Sequence, residues 1–522
     1  LNMDKMSDLD LALRESHLEL DPKTGYIRWA STNPKHPRNW SLARKTWDIG
    51  LITLLELYTC VKLFSPIKFV LDLLTVSFIE PQSVLLGPRL PDQLKKDLAL
   101  ASLYLNFFLF RPISWPKHWE ALSSHHMRRL LGARSCMWSL QLCTAGSVQS
   151  SGGIDSPVAA VIGRLVTGFL SAVPTCSISG SIEDMFNSKD RIWMMLTYIG
   201  SANIGVALGP VMSAYITFAF GWHWIFYIAS MITGGIALLL LTIKESRPSS
   251  ILAREVKKLR KRTGIETLEP LNHDTVPDWQ TFVTVDLGRP LKLLFTEPIV
   301  FSASLMGGTA MAIIYLLTEA LPHIYEAKGF NHQQSSLPFL AIGLGFILNI
   351  PGRLVDVRAV NELRRNDCFI APEYKLSGLK FAAPVLAGAL WWFAWTIPPS
   401  IQGVHWIVSV LALLGIGYGR SEIMIILTGY LADSYSAYTG SAFAAWGLVR
   451  SVLSAVFPLF APAMFDNLGA NVGVSVLAAT MTAFIIVPIL FRIYGKRLRE
   501  RSKFAQYSMQ RYKETTVEQD GT

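Results

Sequence analysis

Charge is scarce in this chain: charged residues fill 16% of its 522 positions, against 51% hydrophobic ones. A soluble domain carries about a quarter charged residues, so a row of three or four soluble domains is excluded. Cysteine is scarce as well. Cys60, Cys136, Cys143, Cys176 and Cys368 form an odd, scattered set without a CxxC pair, which excludes a disulfide framework and a cysteine zinc site. No GxxxxGK(S/T) loop occurs, so no bound nucleotide is expected to drive the protein. The histidines show no metal-ligand spacing, and no serine or cysteine sits in a nucleophile motif. No cofactor, metal or enzymatic activity is therefore expected. The first 45 residues hold no long apolar run. A cleavable signal peptide is not expected, and the first membrane helix is expected to act as an uncleaved insertion signal.

Long apolar runs are what the chain has instead. Nine lie at 157–178, 192–219, 222–243, 297–318, 335–351, 379–397, 403–428, 441–464 and 472–493. About 20 apolar helical residues cross a bilayer core about 30 Å thick, and a helix satisfies its own backbone there. The net charge of +10 invites a nucleic-acid reading, but its placement argues against one. Loops at 219–221, 398–402 and 465–471 carry no basic residue, and 319–336 only Lys328. The segments 244–292 and 353–380 and the tail after Arg492 are rich in Lys and Arg. That asymmetry predicts cytoplasmic basic loops and cytoplasmic termini.

The chain divides into a partly disordered lead (1–45), an N-terminal bundle (46–243), a linker (244–296), a C-terminal bundle (297–493) and a tail (494–522). Within the first bundle, 46–156 is irregular. A span at 47–67 would carry Asp48, Glu56 and Lys62, and no convincing span lies between Pro112 and Ser156. Ile251–Arg262 in the linker reads as an amphipathic basic helix, either on the inner membrane surface or solvated. Six spans follow the linker. Two six-helix halves joined by a long loop are expected, with spans one to three inside 46–156.

Several strings resemble the fungal drug and polyamine:proton antiporters of the major facilitator superfamily. Asn33 to Ser41 (NPKHPRNWS) is similar to that group's DPxNPxNWS. Arg164 to Gly168 resembles its RxxxG motif, and Asp184 with Phe186 and Arg191 its D-x-F…R pattern. Gly205, Gly209 and Pro210 match the core of its GxxxGPxxGG antiporter motif, with small or apolar residues from Val211 to Ala214 in place of the ending. Tyr315–Phe330, Pro372-Glu373, Asp433 to Tyr435, Ser441-Ala442 and Phe457–Phe460 are similar to its second half. The SExxGRR loop of the group is absent, and family-like text stops near Phe107 and resumes after Ser156. The resemblance implies an all-α integral membrane protein of the major facilitator fold. Spans one to three are expected to be degraded, or overwritten by frame-shifted or unspliced text.

Charges at mid-bilayer need a reason, since each costs at least about 2.5–3.5 kcal/mol. Arg164 is the first candidate for substrate and proton coupling, with a structural clamp as the alternative. Glu319 and Tyr315, four apart, share a face near the outer end of span seven. Arg420 and Glu422, two apart, point to nearly opposite faces. Glu422 shares a face with Tyr418, and Arg420 either faces inward or snorkels to the inner surface. Tyr198 and Asn203 are further cavity candidates. Trp392, with Trp391 and Trp395, is either a cation-holding wall or an aromatic belt. Gly205, Gly209 and Pro210 are expected to bend span five and bring it close to a neighbour. Asp184, Arg191 and Asp433 are candidate gate latches. The expected partners are a small molecule, protons and the bilayer, with no nucleic acid, in a monomer at the plasma membrane. The resemblance implies proton-coupled efflux of drugs, toxins or polyamines by alternating access. An inactive transporter, or a non-transporting sensor on the same fold, is the alternative; a membrane enzyme would need a polar catalytic cluster that the sequence lacks.

Overall fold

A helix rises about 1.5 Å per residue, so the apolar runs fix how much of each helix fits a bilayer. The computed structural model describes residues 11–21, 25–30, 32–64, 133–153, 166, 181–182, 184–186, 188–221, 223–265, 267–271, 288–365, 372–398, 404–435 and 438–508. Among them, seven helical segments are long and apolar enough to cross a membrane. The expected span at 157–178, with Arg164, lies outside the described residues.

A hairpin of β1 (Leu18–Leu20) and β2 (Ile27–Trp29) precedes α1 (Leu42–Phe64). Helices α2 (Ala133–Gly153), α3 (Ser188–Phe220) and α4 (His223–Leu240) follow. Helix α1 packs along α3, and α2 along α4. The sequence pattern offers no span between Pro112 and Ser156, and α2, a helix of polar composition, is not among the seven apolar segments. Its serines, glycines and glutamines break the apolar pattern, and packing makes up for them. Gln141 and Thr144 are buried, the Thr144 hydroxyl donates back to Leu140 O at 2.7 Å, and Ser230 of α4 donates to Ala145 O at 3.0 Å. Back-bonding satisfies a hydroxyl that would otherwise compete with the helix.

The linker forms α5 (Pro248–Thr263), opened by a proline at its start and closed by Gly264 at φ 66°, the usual start and stop devices. Leu252, Val256 and Leu259 make one stripe and are 1–3% exposed. What covers them is protein: Leu13, Leu18 and Ile27 of the lead, with Ile265 and Leu268. Ile27 N donates to Glu269 O and Leu271 N to Ile27 O, both at 2.9 Å, so β2 joins the chain beyond α5. Lys35 pairs with Glu255 at 2.8 Å. The described part of the lead is folded. The membrane-surface expectation for the linker helix is corrected: the apolar stripe of α5 is spent on that lead. Arg254, Lys257, Lys258, Lys261 and Arg262 remain exposed.

The C-terminal half contains α6 (Gly288–Thr296), α7 (Pro298–Glu326), α8 (Phe339–Gly345), α9 (Asn349–Arg365), α10 (Leu379–Thr396), α11 (Trp406–Ser434), α12 (Thr439–Leu468), α13 (Ala470–Ala483) and α14 (Ile486–Arg501). Helices α8 and α9 join through a 3-10 turn, and Gln334–Val355 reads as one span. Helix α7 lies along α12, α8 along both α11 and α3, and α10 between α11 and α13. The contact of α8 with α3 is where the two halves meet. A Cβ on Gly417 would strike Ile342 O, and one on Gly345 would strike Leu414 O. Glycine at both positions lets the α8 and α11 backbones touch.

At the end of α7 where the linker arrives, Glu297 precedes the first turn. Its carboxylate accepts from Tyr435 OH at 2.9 Å and Ser502 Oγ at 2.8 Å, beside the positive end of the helix dipole. Arg499 of α14 grips Glu373 through two nitrogens at 2.8 and 2.7 Å. The start of the expected tail at 494 continues α14, with Gly495 and Arg499 buried, and Ser508 beyond it is 1% exposed.

Candidate functional site

Helix α11 carries Gly415, Gly417 and Gly419 just ahead of Arg420. A Cβ on Gly419 would lie 2.7 Å from Leu386 Cβ, and one on Gly415 2.9 Å from Ala389 Cβ. Glycines therefore draw α11 tightly among α8 and α10 and hold Arg420 at depth near the middle of its helix. Arg420 is 6% exposed. Snorkelling is thus corrected: the guanidinium turns inward and bridges the two halves. Its Nη1 donates to Asn203 Oδ1 of α3 and its Nη2 to Met311 Sδ of α7 at 3.4 Å. Ser421 Oγ also donates to Asn203 Oδ1, at 3.3 Å. Asn203 is anchored in turn, its Nδ2 donating to Ile199 O at 2.8 Å.

Tyr315, one turn beyond Met311 on α7, is buried. Arg450 stands on α12 with its guanidinium 5.0 Å over the Trp446 ring, a cation–π contact. On the facing side, Gly205 of α3 meets α1: a Cβ there would lie 2.7 Å from Cys60 Cβ and would strike Leu57 O. The expected close approach of span five is therefore to α1. Gly209 is buried and Pro210 lies inside an unbroken α3. One turn before Cys60, Glu56 is buried, with Cys60 Sγ 3.7 Å from its Oε1.

The remaining candidates divide. Asn203, Tyr315 and Arg420 come together, and Glu319 is half-buried one turn beyond Tyr315. Glu422 is buried but points elsewhere: it forms an ion pair with Arg353 of α9 over Gly378, whose Cβ would lie 2.7 Å from Glu422 Oε1. Tyr198 packs into the separate core of the N-terminal half with Leu55 and Ile236. Trp392 is exposed in an apolar stripe with Phe381, Val385 and Trp395, whereas Trp391 donates to Thr482 Oγ1 at 3.1 Å. Asp184 is half-buried and Asp433 exposed. Arg164 and the Arg191 side chain lie outside the described residues.

Glu56, Arg353, Met311 and Arg450 were not singled out by sequence. Arg450 had a signal, being the only charged residue in the apolar run 441–464. Glu56 had one too, but a charge in 47–67 counts against a span before it counts as a site.

The family model described as Major Facilitator Superfamily matches residues 119–458. It begins inside the stretch where family-like strings are missing. The MFS transporter cpaT of Aspergillus oryzae is 28% identical over 497 residues, covering 92% of this chain and 93% of the relative. The multidrug transporter FLU1 of Candida albicans is 31% identical over 422 residues, covering 78% and 66%. The multidrug transporter mdrA of Aspergillus fumigatus is 28% identical over 508 residues, covering 96% and 79%. The crystal structure of the human organic anion transporter MFSD10 superposes with a TM-score of 0.58 at 14% identity, covering 85% of this chain and 99% of that one.

Proposed function

Because the chain belongs to the major facilitator superfamily, we propose that this multi-pass transporter exports small amphipathic molecules of the drug, toxin or polyamine classes in exchange for protons. Its two halves alternate access to a site between them. The observation that carries this reading is the polar seam at mid-depth, where Arg420 and Ser421 of one half share the amide oxygen of Asn203 in the other. A buried cation costs several kcal/mol unless something uses it. This one lies on the surface that a rocking motion opens. Multidrug transporters among the relatives support the substrate class. Glu56, Glu319 and Arg164 supply titratable or charged groups for coupling, and Tyr315 stands one turn from Glu319. Asp184, Arg191 and Asp433 act as gate latches. The basic linker and tail favour cytoplasmic termini, and the plasma membrane is the site from which export works.

Expression in a pump-deleted host, with a drug and polyamine panel, tests the export. Wild type is expected to raise resistance and Arg164→Ala to lose it. Flux into vesicles is expected to follow an imposed pH gradient. Sensitivity equal to empty vector, or binding without flux, overturns the transport reading and favours an inactive or sensing protein.

A further inference from the structure

The polar groups at the seam are unevenly matched. Among the described residues, Arg420, 6% exposed, finds neutral acceptors: an amide oxygen on Nη1 and a thioether 3.4 Å from Nη2. Its buried Nε has no hydrogen-bond partner among the described residues. Neither has the indole Nε1 of Trp446, which is 8% exposed and packs so closely on Gly307 that a Cβ there would lie 2.8 Å away. Arg450, one turn from Trp446, adds a second guanidinium, and its backbone packs on Gly308 of α7, one turn before Met311. Glu56 stands one helical turn before Cys60 on α1. Among the described residues, two guanidiniums, a phenol and an indole thus converge from α7, α11 and α12, with the carboxylates of Glu319 and Glu56 one turn beyond Tyr315 and one turn before Cys60.

A buried donor left unmatched costs free energy, and a buried positive charge facing neutral acceptors costs more. A ligand that brings an anionic oxygen removes both costs. A planar carboxylate or sulfonate suits a guanidinium fork, and the rings of Trp446 and Tyr315 give its apolar body a surface. Resting on the transport reading, we infer that this seam binds amphipathic organic anions, gripped by Arg420 with Arg450 in support. Asn203 Oδ1 holds the guanidinium in the conformation seen here and yields it to the anion as the halves part.

Three probes with one aromatic body decide the matter: naphthalene-1-sulfonate, its neutral sulfonamide, and naphthyl-1-trimethylammonium. The sulfonate is permanently charged, so a pH gradient cannot draw it through lipid as a neutral acid. Binding to purified full-length protein is measured by calorimetry, and flux separately in vesicles. The sulfonate is expected to bind at least about tenfold more tightly than the sulfonamide, the size of one charge-assisted hydrogen bond. Arg420→Gln is expected to erase that preference, Arg420→Lys to keep part of it, and Arg450→Gln to weaken it. Gel filtration checks that each variant is folded. If Arg420→Gln does not fold, Arg450→Gln and the wild-type probe ranking decide. Equal or tighter binding of the sulfonamide or the ammonium, no sulfonate binding, or unchanged binding in folded Arg420→Gln overturns the inference. Sulfonate binding without pH-driven flux keeps the anion site and sinks the transport reading. PH-driven flux of the ammonium probe without sulfonate binding does the reverse.

Discussion

Glu422 and Arg353 illustrate how single residues are held in this protein. Their side chains are 3% and 12% exposed, so the pair has little water to fall back on. Removing one partner strands the other charge, at about 3–5 kcal/mol. Arg353→Ala is therefore expected to lower the thermal unfolding midpoint in detergent markedly, and adding Glu422→Leu to restore most of it. A single variant as stable as wild type would show the pair to be dispensable. Glycines set the other residue-scale limit. Gly205→Leu drives a side chain into the backbone of α1 and is expected to cost about 1–3 kcal/mol or more by overpacking. Gly429→Ala, at a helical glycine with open space around it, is expected to gain about 0.5–1 kcal/mol. The same melting experiment reads both. Sequence alone made Glu422 and Gly205 visible, one as a charge in an apolar run and the other within a motif. Their partners, Arg353 and Leu57, were not visible, because contact between distant helices leaves no periodic trace.

The cap formed by the lead and α5 shows the same limit for elements. The stripe Leu252, Val256, Leu259 is legible as amphipathic, but a stripe does not say whether lipid or protein covers it. The lead's own apolar residues Leu13, Leu18 and Ile27 are too sparse to read as a domain. Val256→Asp is expected to release the hairpin, seen as loss of hydrogen-exchange protection at the Ile27 and Leu271 amides. Acidification should act in the same direction. Burial, and then Arg38 and Lys45, hold the His36 imidazole below its ordinary value, and its Nδ1 accepts from Arg38 N at 3.2 Å. The folded cap disfavours the protonated ring. Its contribution is full above about pH 6.5 and falls as pH drops through the lower folded value. Burial alone would raise Glu255, yet hydrogen bonds from Lys258 and Lys35 outweigh it and leave the carboxyl lowered. That contribution is present above the ordinary glutamate value and is lost at still lower pH. Protection factors at Ile27 and Leu271 should therefore fall between pH 7.5 and 5, and fall further near 4. A flat profile would remove both groups from the docking. Helix α2 marks the opposite failure: its polar composition hides a helix that packing against α4 stabilises.

Across the whole molecule, the contact of α3 with α8 joins the halves. A Cβ on Gly343 would lie 2.6 Å from Ala207 Cβ, and one on Gly200 2.5 Å from the Phe346 ring. If the halves rock, this contact has to open. Gly343→Leu wedges a side chain into this contact and is expected to lower flux in vesicles while the protein still runs as a folded species in gel filtration. Undiminished flux in folded Gly343→Leu would exclude a role for close approach at this seam.

The sequence by itself determined that the chain lives in a bilayer, where its long apolar runs lie, the family it resembles, and which side chains are too costly in lipid to be idle. Those follow from composition and spacing along a chain, because lipid penalises charge and open backbone wherever they occur. Only the tertiary structure decided that Arg420 turns to Asn203 rather than to the surface, that Glu422 belongs with Arg353, and that the linker helix covers the lead. Each of those depends on which distant segment arrives opposite. Close packing at glycine contacts sets that arrangement, and no local pattern encodes it.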